Sequence, residues 1–172
     1  PSHVWSYDFK CEDPSPVDAT DDGRRLKWVP VINEYTRECL ALEVGYSITS
    51  SDVIASLDRL KANRGVPAVL RSDNGPEFIA EALQNHLSVL ETEIRFIEPG
   101  APWENAYVES FNGTFREDLL SKELFGLSKE LFGHLLEARE LGEQYRTRYY
   151  TERAHSSLDY RTAAGFAASY AA

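Results

Sequence analysis

Apolar and polar positions alternate from the start of the chain, with Trp5, Tyr7 and Phe9 on one side and Val4, Ser6 and Asp8 on the other. A period of two with one aromatic face predicts a strand over residues 3–9. Leu26 to Ile32 and Glu38 to Tyr46 read as two further strands joined by a turn at Asn33-Glu34. Three strands in succession predict an antiparallel meander. The period then becomes helical. Ser50-Ser51-Asp52 stand as caps ahead of Val53, Ile54, Leu57 and Leu60, and Asn63-Arg64-Gly65 closes that helix. Pro67 to Leu70 reads as a short buried strand entering the turn Ser72-Asp73-Asn74-Gly75. Pro76-Glu77 is well placed to open a helix bearing Phe78, Leu83 and Leu87. Ile94 to Ile97 predicts a fifth strand, stopped by Pro99-Gly100. Helices are predicted from Trp103 to about Leu120, from Ser128 to about Tyr150 on Leu131, Leu135, Ala138 and Tyr145, and from Thr162 to Tyr170. A meander followed by alternating helices and strands implies an α/β fold, a mixed sheet covered by helices.

Composition narrows the class. The chain has 172 residues, 42% hydrophobic and 27% charged, which suits one globular domain. Its longest apolar runs, Val29-Pro30-Val31-Ile32 and Cys39-Leu40-Ala41-Leu42, are strand-sized, so no membrane partner is expected. Cys11 and Cys39 alone supply neither a disulfide framework nor a cysteine zinc site, which makes a reducing cytoplasm the default. The chain contains no methionine, and the expectation is a piece of a longer protein. Eighteen basic side chains against 28 acidic ones give a net charge of −10. Taken alone, that balance weighs against nucleic-acid binding, which needs clustered Lys and Arg.

Three acids stand out by position. Asp8 interrupts an aromatic strand, where a carboxylate is costly unless paired or metal-bound, or faces solvent. Asp73 falls at the carboxyl end of the fourth strand, where open α/β sheets gather ligand groups, but it also opens an ordinary Asp-Asn-Gly turn. Glu109 lies in mid-helix in this reading, with Asn105, Asn112 and Arg116 on its face and Val108, Phe111 and Phe115 opposite. Such a stripe holds either one metal ligand beside DNA-facing groups or a solvated surface. Arg146, Arg148, Arg153 and Arg161 form a locally basic stretch that could meet phosphate or simply face water.

Read together, the motifs are more specific. Trp5-Ser6-Tyr7-Asp8-Phe9, Ser72-Asp73-Asn74-Gly75-Pro76-Glu77-Phe78 and Asn105-Ala106-Tyr107-Val108-Glu109-Ser110-Phe111-Asn112-Gly113 occur in that order, and 35 residues separate Asp73 from Glu109. This pattern resembles the integrase-type catalytic core of bacterial insertion-sequence transposases, related to retroviral integrases, with its Asp, Asp, 35 residues, Glu signature. Tyr35-Thr36-Arg37-Glu38-Cys39-Leu40 and Glu152-Arg153-Ala154-His155-Ser156-Ser157-Leu158-Asp159-Tyr160 extend the likeness over nearly the whole chain.

The resemblance implies a ribonuclease-H-like fold with a five-stranded mixed sheet. It implies one domain over 1–172, with a core to about 125 and a C-terminal helical extension over 126–172; the N-terminal DNA-binding region that the family carries is expected to be absent from these residues. It further implies a DNA transposase catalytic domain whose metal-binding triad is Asp8, Asp73 and Glu109, working with two Mg²⁺ or Mn²⁺ ions. Asn105, Asn112 and Arg116 become candidate DNA contacts. The implied partners are transposon ends, target DNA and further copies of the chain, in a bacterial cytoplasm and at the nucleoid when active. In-line phosphodiester displacement suits a pair of hard cations held by a few carboxylates. Two rival readings are a non-catalytic transposase remnant and a two-carboxylate sugar hydrolase, the latter leaving no role for the third motif. The chain departs from the family at Ala101, where Lys is expected, and at Glu104, where Gln is expected. Ala154 replaces the usual Pro, and Asp159 the usual Gly.

Overall fold

The computed structural model describes residues 4–8, 19–75, 79–98, 102–120 and 133–170, with Pro102, Trp103, Leu119 and Leu120 described through their backbone. Strands β1 (Val4–Tyr7), β2 (Lys27–Asn33) and β3 (Cys39–Gly45) form the expected antiparallel meander. β4 (Val69–Ser72) pairs with β1 in parallel, and β5 (Glu93–Phe96) pairs with β4 in parallel. The resulting mixed sheet has five strands in the order β3-β2-β1-β4-β5. Helix α1 (Ser50–Arg64) leads from β3 to β4, and α2 (Glu81–Val89) leads from β4 to β5, as parallel pairing requires a crossover.

Local chemistry sets the helix ends. Thr49, one residue earlier than expected, caps α1. Its side chain accepts from the Asp52 amide, and the Asp52 carboxylate accepts from the Thr49 amide at 2.8 Å. The expected start of the next helix at Pro76-Glu77 lies outside the described residues, and α2 begins after Ala80 without a side-chain cap. The helix predicted from Trp103 divides into a 3₁₀ turn, Pro102–Asn105, and α3 (Ala106–Leu120). Glu109 therefore sits in the first turn of α3, not in mid-helix. Helix α4 (Leu135–Thr151) starts after His134, whose ring accepts from the Glu137 amide at 3.1 Å. The first residues of its predicted span lie outside the described ones.

A small hairpin was not anticipated. β6 (Ala154–His155) pairs with β7 (Arg161–Thr162) around a 3₁₀ turn at Ser156–Leu158, and α5 (Ala163–Ala168) follows under a Thr162 cap. The hairpin closes through Asp159 and Tyr160, both left-handed at φ 56° and 58°. Only Gly adopts that conformation freely. The departure from Gly at position 159 thus falls where the backbone most favours Gly.

The two faces of the sheet carry two separate cores, fed mainly by alternate side chains of the central strands. Trp5, Tyr7, Val31 and Leu70 pack with Val53, Leu57 and Leu60 of α1 and Leu83 and Leu87 of α2. On the other face Trp28, Ile32 and Val44 pack with Val108, Phe111 and Phe115 of α3 and Ala138, Tyr145 and Tyr149 of α4. Gly142 lets α4 approach the sheet. A Cβ there would stand 2.9 Å from the Trp28 ring. Among the described residues no helix is long and apolar enough to cross a membrane.

Candidate metal site and nucleic-acid interface

The register of β1 and β4 brings the first two acids together. Val4 stands beside Val69, Trp5 beside Leu70, and Ser6 beside Arg71. Continued for two residues, the same offset sets Asp8 beside Asp73, each one residue past the carboxyl end of its strand. Adjacent strands lie about 4.8 Å apart, so these two side chains emerge as neighbours at one edge of the sheet. Side chains two apart share a face, which puts Asp8 on the side of Ser6 and away from Trp5 and Tyr7. Asp8 is 8% exposed, so its carboxylate is buried rather than solvent-facing.

Helix α3 supplies the third acid. Asn112 donates its amide Nδ2 to Asp8 Oδ2 at 2.9 Å, fastening the helix over the end of β1. Glu109 is one turn earlier on the same face and half-buried. The burial of Val108, Phe111 and Phe115 against the sheet fixes the rotation of the helix. Asp73 is oriented by its own turn: the Gly75 amide donates to Asp73 Oδ1 at 3.1 Å. Asn74 Nδ2 then donates to the Ile97 carbonyl at 3.1 Å, tying this loop to the end of β5. Asp73 is thus a turn former that stands one residue past the end of its strand.

The neighbouring polar residues differ from expectation. Asn112 is buried and committed to Asp8, and Asn105 is 4% exposed, so neither presents a free amide on the surface. Among the described residues the buried Asn105 side-chain oxygen has no hydrogen-bond partner. Arg116 is half-buried on the same helix. Glu104 accepts from the Glu98 amide at 3.2 Å and so helps shape the entry to α3. Ala101 lies outside the described residues.

The four tail arginines prove to be paired. Arg146 binds Glu143 at 2.5 Å and donates to the Cys39 carbonyl, and Arg148 lies 3.9 Å from Glu152. Arg153 lies 4.0 Å from Asp118, and Arg161 lies 3.9 Å from Asp159. Their charges are answered within the protein. Cys39 is buried, and burial pushes its thiol up; Cys11 lies outside the described residues. His155 packs on the Tyr149 ring, and partial burial, helped by Arg153 and Arg37, holds its imidazole below the usual histidine range.

Sequence reasoning missed a polar layer beneath the acids, made of Ser6, Glu34 and Arg71. The available signal was spacing, because Ser6 and Arg71 each stand two residues before a candidate ligand. The three candidate acids Asp8, Asp73 and Glu109 would offer a cation only oxygen, the chemistry that Mg²⁺ and Mn²⁺ prefer over zinc. Among the described residues, no three His, Cys, Asp or Glu side chains are gathered closely enough to form a ready-made cage.

Comparison with known proteins identifies the scaffold. Residues 1–102 match the family described as integrase core domain, and residues 90–162 match a second family of the same description. The chain belongs to the integrase core domain family. It is 36% identical over its whole length to an insertion element IS407 protein of 31.7 kDa from Burkholderia multivorans. It is 37% identical over 99% of its length to an insertion element IS476 protein of 39.2 kDa from Xanthomonas euvesicatoria. The chain spans 57% and 45% of those relatives. The catalytic core domain of BIV integrase shares the fold at TM-score 0.71 and 16% identity, covering 99% of this integrase core and 97% of that chain. The HTLV-2 integrase catalytic core domain in complex with magnesium aligns at TM-score 0.69 and 16% identity, covering 96% of each chain. The ribonuclease-H-like architecture expected from the motifs is the architecture observed.

Proposed function

We propose that this integrase core is the catalytic domain of a DNA transposase, with Asp8, Asp73 and Glu109 as its metal ligands. The observation that carries the reading is that β1 and β4 pair in parallel with Asp8 and Asp73 each one residue past its strand, while Asn112 of α3, one turn from Glu109, bonds Asp8. Two Mg²⁺ or Mn²⁺ ions bound there would neutralise the attacking and leaving oxygens of an in-line displacement. The protein's own contribution is positional. Asn112 and the Asp73 turn orient two carboxylates, and the buried face of α3 sets the third. A bound cation would offset the mutual repulsion of three like charges drawn to one site.

The reaction has two steps. Water attacks the phosphorus at an element end and releases the 3′-oxygen as a hydroxyl. That hydroxyl then attacks a target phosphodiester, forming one new phosphodiester bond and freeing one target 3′-hydroxyl. The partners are element ends, target DNA and further copies of the chain, in a bacterial cytoplasm. The likeness over nearly the whole chain, and the shared core of α3 and α4, support one catalytic domain with its C-terminal extension packed onto it. The test is incubation of the full-length protein with the terminal DNA of its element and Mg²⁺. Nicked and joined products are expected. Their absence from a folded protein that assembles on those ends would overturn the reading.

A further inference from the structure

Two residues before the aspartates, on the same face of the sheet, lies a charged layer that touches β1, β4 and the 3₁₀ turn leading into α3. Ser6 and Arg71 are register partners on β1 and β4, two residues below Asp8 and Asp73. Glu34 follows the end of β2, its own amide donating to the Val4 carbonyl at 3.0 Å. The Ser6 hydroxyl donates to Glu34 Oε1, and Arg71 Nη1 lies 3.0 Å from the same oxygen. Arg71 Nη1 also donates to the Glu104 carbonyl at 2.8 Å, in the 3₁₀ turn that leads into α3. One guanidinium nitrogen thus joins β4 to the Glu34 carboxylate, itself held by β1, and to the turn five residues before Glu109.

We propose that Arg71, paired with Glu34, is the positioning residue that sets the spacing of Asp8, Asp73 and Glu109 for divalent-cation binding; this rests on the metal-site reading above. Three physical arguments support it. The side chains of Arg71 and Glu34 are 24% and 12% exposed, so water screens the pair little and it holds its geometry better than a surface pair. The charge of Arg71 is spent on Glu34, leaving the layer near neutral, so it does not compete with a cation two residues above. Finally, the contact to Glu104 is to backbone, so it fixes the path of the 3₁₀ turn and, through it, the first turn of α3. A partner outside the ligand set that orients the ligands changes metal affinity by about 10–100-fold when removed.

The test measures Mn²⁺ affinity of the 172-residue chain by the electron paramagnetic resonance signal of free Mn²⁺, with melting in chelator as a separate readout. Arg71→Met and Glu34→Gln are each expected to weaken Mn²⁺ binding by about 10–100-fold. Arg71→Lys, which keeps the charge and a donor, should recover part of that loss. A merely structural pair would lower the melting point in chelator while leaving the Mn²⁺ affinity of the folded protein unchanged, and that result overturns the proposal. Should Arg71→Met fail to fold, Glu34→Gln decides, because it preserves shape and removes only the charge. Wild-type chain that binds no Mn²⁺ would instead overturn the metal-site reading itself.

Discussion

The arginines of the C-terminal region and the carboxylates at the end of the sheet are both runs of like charge, and each could meet a ligand. In the folded protein they behave differently. Arg146, Arg148, Arg153 and Arg161 each have an acid within 4.0 Å, three of them on their own helix or hairpin. The acids come from three separate elements, and the amide of Asn112 meets Asp8 there as a neutral donor. An arginine whose charge is matched locally stabilises a surface modestly and offers little to phosphate. In the reading proposed above, the counterpart of the acids is a divalent cation supplied from solution rather than a basic side chain of the same element.

The sharpest way to break that contrast is to neutralise one acid. Glu109→Gln or Asp73→Asn should leave the fold intact and lower Mn²⁺-dependent strand joining by the full-length protein by more than about 100-fold, beyond what losing an orienting partner costs. Arg148→Gln, on the tail, should change joining little. Comparable losses in both regions would erase the distinction. Asn112→Ala should fall between them, weakening metal binding about 10–100-fold, because Asp8 loses its orienting amide without losing its charge.

Stability measurements sharpen the comparison from the scaffold side. Gly142→Ala should destabilise by about 1–3 kcal/mol in urea unfolding, since its Cβ meets the Trp28 ring at 2.9 Å. In the tail, Asp159→Gly should stabilise by up to about 1 kcal/mol by relieving a left-handed residue. His155 gives the smallest effect. Its folded-state affinity for protons is lowered by partial burial, so between the folded and unfolded values the unfolded chain binds the proton more tightly. Its stability contribution is present above the ordinary histidine range and is lost as pH falls through the depressed folded value. The melting curve of His155→Gln should accordingly lose less on acidification than that of the wild type.

Much of the scaffold was legible because local signals and packing agree. The alternation around Asp8 marks Trp5 and Tyr7 as core side chains, and Val108, Phe111 and Phe115 mark the buried side of α3. The three acids could be named from motif order and spacing. Pairing was not legible. Nothing local to Asn112 indicates that it bonds a residue 104 positions away, and nothing near Arg71 marks Glu34 and Glu104 as its partners. The periodicity of 103–120 puts Glu109 in mid-helix because it does not reveal that the first turn is 3₁₀. The β6–β7 hairpin was missed because two-residue strands closed by Asp159 and Tyr160 carry no hydrophobic period and no Gly.

The most direct test of the central claim is anomalous diffraction from crystals of the chain soaked in Mn²⁺. The account predicts a manganese peak bonded to oxygens of both Asp8 and Asp73, with Glu109 directed toward the site, and its loss in Asp73→Asn. A manganese bound only elsewhere, or a peak that persists unchanged in Asp73→Asn, would contradict it.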